Sequence, residues 1–88
     1  MKKTLDIINR KGLHARASAK FVECVEQFDA TAAVTRNGET VSGDSIMGLL
    51  MLEAAQGTSI VVTTHGPDGD ALCEALEALL ADRFGEGE

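Results

Sequence analysis

The chain has 88 residues and a mass of 9.3 kDa, which is room for one small domain and none for a large catalytic cleft. It is 44% hydrophobic and 25% charged with one proline, a globular composition that excludes collagen-like or low-complexity character over most of its length. A net charge of −6 with 3% aromatic residues argues against a nucleic-acid binder, which needs positive charge and ring platforms for bases.

Residues 2–8 place Leu5 and Ile7 on one face and predict a strand. Asn9 to Gly12 read as a loop. Between Ala15 and Phe28 the apolar positions Ala17, Phe21, Cys24, Val25 and Phe28 recur at helical spacing. Thr31 to Arg36 predicts a second strand. Asn37-Gly38 is a hairpin signal, because a two-residue type I′ turn needs positive φ at both central positions. Glu39 to Ser42 returns as a third strand. A helix is expected over Ser45–Ala55, closed by Gly57. Thr58 to Thr64 is rich in β-branched residues and predicts a fourth strand. After the turn Gly66-Pro67-Asp68-Gly69, with Asp68 or Asp70 as cap, a last helix is expected over Ala71–Phe84, its stripe formed by Leu72, Ala75, Leu76, Leu79 and Leu80. The order βαββαβα predicts an α+β, two-layer domain over residues 1–84, followed by a frayed acidic tail at 85–88.

Charge is unevenly placed. Six of the eight basic residues lie in residues 1–20, opposed there only by Asp6, while residues 21–88 hold two basic and 13 acidic residues. The first segment therefore suits a small anion or an acidic protein partner. No apolar run approaches the ~20 residues of a membrane span, and MKKTLDIINRKG lacks the apolar core of a signal peptide. A cytoplasmic protein with two reduced cysteines is expected.

The chemistry concentrates in Gly12-Leu13-His14-Ala15-Arg16. His14 falls where a loop meets a helix N-terminus. The unpaired N–H groups of that turn and its partial positive charge bind phosphate readily. The same positive end disfavours a second charge on the ring, which favours a neutral, nucleophilic imidazole. Arg16 adds a charge-assisted donor for phosphate oxygens. Together they suit reversible phosphoryl transfer, in which the histidine attacks, carries the group and passes it on. The plain alternative is a solvated loop histidine.

Residues 12–18, Gly-Leu-His-Ala-Arg-Ala-Ser, resemble the active-site motif of the HPr phosphocarrier family of the phosphoenolpyruvate-dependent phosphotransferase system, and GDSIMGLLMLEAAQGT at 43–58 resembles that family's second signature. The resemblance covers nearly the whole chain. It implies an open-faced β-sandwich, a four-stranded antiparallel sheet covered on one face by three helices. It further implies that His14 carries the phosphoryl group on Nδ1 and that Arg16 assists transfer. Enzyme I, charged by phosphoenolpyruvate, would be the donor and an EIIA-type protein the acceptor, with no cofactor, metal, nucleic acid or membrane, and a monomeric carrier rather than a self-contained enzyme. Many members have proline after the arginine, where this chain has Ala17. Alanine leaves an N–H available in the first turn, so an altered rate or potential of transfer is expected rather than lost chemistry. The run Leu-Leu-Met-Leu-Glu-Ala-Ala is slightly closer to the nitrogen-related NPr branch than to the sugar-transport branch; both use the same histidine chemistry.

Ile46, Met47, Leu49, Leu50, Met51 and Leu52 make the second helix apolar nearly all round, more than a surface helix of so small a domain can bury. An exposed patch that docks partners is one outcome, with Ile46, Met47 and Leu50 as candidates; deeper burial is the other. Ser45 opens this helix and reads as an N-cap. The resemblance also makes it a regulatory phosphorylation site for HPr kinase/phosphorylase, although Asp44 stands where lineages with that control often have a basic residue. His65 reads as an exposed strand end, and Cys24 and Cys73 as core thiols. Neither these nor Asp68 and Asp70 have the spacing of a metal site. A second functional class remains open, a docking-only regulatory module of the same fold, which would not need the His14 and Arg16 pair.

Overall fold

The structure, a computed structural model, describes residues 1–86, so 87–88 of the expected tail lie outside the described residues. The elements run in the order β1 (Lys2–Asp6), α1 (Ala15–Glu26), β2 (Thr31–Arg36), β3 (Glu39–Ser42), α2 (Ile46–Met51), β4 (Ser59–His65) and α3 (Gly69–Ala81), followed by a short 3-10 turn at Arg83–Gly85. The strands form one antiparallel sheet in the order β1-β4-β2-β3. This is the expected four-stranded sheet with three helices.

Alternation along the strands sets which face is covered. Leu5 in β1, Ala32 and Val34 in β2, and Ile60, Val62 and Thr64 in β4 are buried beneath the helices. α1 contributes Ala17, Phe21, Val22 and Val25, α2 contributes Leu49, and α3 contributes Leu72, Cys73, Leu76 and Leu80. Cys24, Phe28 and Leu79, expected on the buried stripes, are only half-buried and pack at the margin of the core. Burial holds the Cys24 thiol above its ordinary pKa, which disfavours the nucleophilic thiolate.

β2 and β3 have the expected bounds because Asn37 (φ 50°) and Gly38 (φ 81°) form the tight turn between them. Elsewhere the helices and β1 are shorter than their apolar patterns. β1 ends at Asp6, but Ile7 N–H still donates to Thr58 O (2.8 Å) and Gly57 N–H to Ile7 O (2.9 Å), so the pairing continues outside the regular ladder. α2 stops at Met51 rather than Ala55. Glu53 turns left-handed (φ 51°), and Leu52 and Ala54 are buried outside the helix. Their burial explains why the apolar pattern outlasts the helical backbone. α3 begins at Gly69 and ends at Ala81, and Phe84 is buried from the turn that follows.

Candidate functional site

His14 is the N-cap of α1, with extended backbone (φ −80°, ψ −176°) and a ring nitrogen, Nδ1, accepting from the Arg16 N–H at 3.3 Å. The loop before it is fixed from two sides. Leu13 N–H donates to Ala54 O (2.9 Å), and the buried Asn9 donates through Nδ2 to Gly12 O (2.8 Å). Ser18 ties the first turn back by donating its hydroxyl to Leu13 O (3.3 Å). The segment after α2 therefore serves as a shelf on which the histidine loop rests.

The other ring nitrogen meets the end of the described chain. Nε2 of His14 contacts Oε2 of Glu86, and Oε1 of the same carboxylate accepts from Asn9 Nδ2 at 3.0 Å. The His14 side chain is 26% exposed and that of Glu86 9% exposed. Burial works against the Glu86 charge, but the hydrogen bonds from Asn9 and His14 and the nearby charges of His14 and Lys11 outweigh it and hold the carboxyl below its ordinary pKa. A depressed folded value means that the contact is fully formed above the range in which an unfolded glutamate titrates, and is lost as pH falls through the folded value. The tail should therefore leave His14 only on acidification below the ordinary glutamate range. The Gly85 and Glu86 amide resonances, followed by NMR through that window, check this.

The expected site residues separate into two groups. His14 and Arg16 lie together on the first turn of α1, with Lys11, Leu13, Glu53, Ala54 and Ala55 lining an open depression beside the ring. Ile46, Met47 and Leu50 lie on α2, which packs against α1. Met47 is 69% exposed, Ile46 is also exposed, and Leu50 is half-buried. Met51, 66% exposed, belongs to the same surface. Its place in the run of apolar residues was the available signal. Ser45 caps α2, its Oγ accepting from Gly48 N–H at 3.0 Å. Lys20, one of the basic residues of the first segment, is turned to the tail: its ammonium group donates to Phe84 O and holds the turn there.

Asn9 and Glu86 are parts of the site that sequence reasoning missed. Asn9 reads as an ordinary loop residue, and only its position before a glycine turn hints at a structural task. His65 is exposed at the end of β4, and Asp68 accepts from Asp29 N–H (2.9 Å) rather than capping α3. Among the described residues, no three His, Cys, Asp or Glu side chains group to hold a metal, and no helix is long and apolar enough to cross a membrane.

The sequence profile described as the PTS HPr component phosphorylation site matches residues 1–82. The chain belongs to the HPr family of phosphocarrier proteins. It is 49% identical over 88 residues to the phosphocarrier protein HPr of Neisseria meningitidis, covering 100% of this chain and 99% of that one. It is 36% identical over 86 residues to the phosphocarrier protein NPr of Shewanella violacea, covering 98% and 94%. Among solved structures, HPr from Thermoanaerobacter tengcongensis superposes with a TM-score of 0.93 at 34% identity, covering 98% of this chain and 97% of that one. The HPr membership accounts for the small size of the domain: a carrier meets its substrate on another protein and needs no cleft of its own. It does not favour the docking-only alternative.

Proposed function

We propose that His14 is the phosphoryl acceptor of this HPr-family carrier, that phosphorylated enzyme I is the donor and that an EIIA-type protein is the recipient, in the cytoplasm. The observation that carries this reading is the disposition of the His14 ring. Nδ1 bears a lone pair at a helix N-terminus, on a partly exposed side chain, and accepts one long hydrogen bond from Arg16 N–H at 3.3 Å. When that lone pair bonds phosphorus, the bond from phosphorus to the donor breaks and its electron pair stays with the donor. The Arg16 N–H is then free to donate to a phosphoryl oxygen, and the exposed Arg16 guanidinium has the charge to do the same. Ala17 keeps a third first-turn N–H where proline would remove it, which shifts the rate or potential of transfer.

Incubation with enzyme I and labelled phosphoenolpyruvate, followed by peptide mapping, tests the reading. An acid-labile, alkali-stable label on the His14 peptide is expected; label on any other residue, or none, overturns it.

The α2 surface of Ile46, Met47 and Leu50 supports docking of both partners, since exposed methionines adapt to more than one complementary surface. Met47→Glu should leave stability within about 0.5 kcal/mol, because the side chain is largely exposed. It should slow transfer from enzyme I about tenfold, the cost of a charge in an apolar contact. Rapid-quench transfer rates beside thermal melts check both, and an unchanged rate removes Met47 from the docking surface.

Ser45 as a regulatory phosphoacceptor is part of the same proposal. A phosphate there places a dianion next to Ile46 and Met47, in the path of an acidic partner. Incubation with HPr kinase/phosphorylase and ATP, read by mass spectrometry, decides it; an unmodified Ser45 ends that role.

A further inference from the structure

We propose that Glu86 is a positioning residue for phosphoryl transfer: its carboxylate holds the His14 ring with the proton on Nε2 and offsets the positive charge that the ring gains as Nδ1 bonds phosphorus. This rests on the reading of His14 as acceptor.

The two ring nitrogens of His14 have different partners. Arg16 N–H donates to Nδ1, which must therefore carry the lone pair. The proton of a neutral ring is then on Nε2, and the Glu86 carboxylate is placed to accept it. Both neighbours enforce one tautomer, the one whose free lone pair points at the helix N-terminus. A histidine with one nitrogen working and the other held by a carboxylate is a recurring device for fixing a ring and raising its basicity.

Glu86 reaches the ring through a built turn rather than a chance approach. Three successive residues, Arg83 (φ 52°), Phe84 (φ 55°) and Gly85 (φ 75°), take left-handed backbone. Two of them bear side chains, for which this conformation is costly and persists only where surrounding contacts impose it. Such contacts surround this turn. Phe84 is buried in the core, Lys20 donates to its carbonyl, Gly85 N–H donates to Asp82 O (2.9 Å) and Glu86 N–H to Arg83 O (3.0 Å). Asn9 completes the arrangement, since one Nδ2 group bonds both Gly12 O and the Glu86 carboxylate. The asparagine thus couples the position of the histidine loop to that of the tail.

In the transfer step, a ring that begins neutral with its proton on Nε2 becomes a cationic N-phosphorylated imidazole, because Nδ1 gives its lone pair and Nε2 keeps its proton. Among the described residues, the charged groups at the site are Lys11 and Glu53 at the depression, Arg16 on α1 and Glu86 on the tail, with Arg10 next to Lys11 in the loop. Glu86 is the group hydrogen-bonded to the nitrogen that keeps the proton. A fixed anion at that position lowers the energy of the charged product and of the transition state that resembles it.

Glu86→Ala tests this in the full chain. Phosphoryl acceptance from enzyme I should slow about tenfold. In ¹⁵N spectra the His14 ring, held as the Nε2–H tautomer in the wild type, should show a mixture with Nδ1–H. Acetate added to the variant should recover part of the rate. An unchanged rate overturns the proposal. So does slower transfer with an unchanged tautomer and no acetate rescue, which would place Glu86 in contact with the donor protein instead. The site of labelling in the wild type is read in parallel, and label away from His14 would defeat the underlying reading rather than this one.

Discussion

His14→Ala is expected to accept no measurable phosphoryl group, a loss on the order of 10⁴-fold or more, since removal of a nucleophile leaves only binding. Ser18, the hydroxyl nearest in sequence, is buried and already donates to Leu13 O. The fold should survive: the lost side-chain cap costs about 1 kcal/mol, or roughly 5 °C in melting temperature for a domain of this size. His14→Asn sharpens the result, because asparagine caps a helix well and yet cannot carry the group. It should melt near the wild type and be equally inactive. Transfer assays with radiolabelled phosphoenolpyruvate, beside thermal melts of both variants, check this. Label retained in either variant would show that the acceptor is another residue.

Gly12→Ala should be the most damaging small change in the site. Gly12 has φ +65°, and a Cβ there would stand 2.6 Å from Ala54 O and 2.9 Å from Ala55 Cα. Both are backbone atoms, so no flexible side chain can move aside. The left-handed conformation costs about 1–2 kcal/mol for a residue with a Cβ, and the overlap about 1–3 kcal/mol more. A total near 3 kcal/mol lowers the melting temperature by roughly 15 °C. The relief available is for the loop to lift from its shelf, which breaks the Leu13 to Ala54 hydrogen bond and displaces His14. A displacement of about 1 Å can cost 100-fold in rate, so transfer should fall with stability. Gly57→Ala is the control. It has φ +90° but nothing within 4 Å of the new Cβ, and should cost only about 1 kcal/mol without affecting transfer. Equal destabilisation of the two variants by calorimetry would refute the contact argument.

The sequence and the structure agree where local rules decide. Asn37-Gly38 fixes the β2–β3 hairpin to the residue, and His14 is found at the helix start that its neighbours predict. They part where a tertiary contact overrides periodicity. Leu52 and Ala54 extend an apolar pattern that suits a longer α2, yet their burial comes from packing after the helix has ended, and Glu53 absorbs the change of direction. The tail is the largest difference. Gly85 and Glu86 read as solvent-exposed and frayed, but the left-handed turn after α3 carries Glu86 to a residue 72 positions earlier. No periodicity or propensity encodes a pairing at that separation. The uneven charge also needed the structure for its meaning, because Glu86 brings an acid into the basic surroundings of His14.

Sheet order bears on how the chain reaches this state. β1 and β2 never pair with each other; β4 lies between them and pairs with both. During synthesis the only strand pairing available to the emerging chain is therefore the β2–β3 hairpin, and a hairpin alone is marginally stable. α1 has no completed sheet to cover until residue 65 has left the ribosome. The domain then closes around a late, central strand, a non-local topology of the kind that folds slowly for its size. The shelf beneath His14 is assembled only at that stage, so a ribosome-bound fragment ending before β4 should hold no phosphorylatable site.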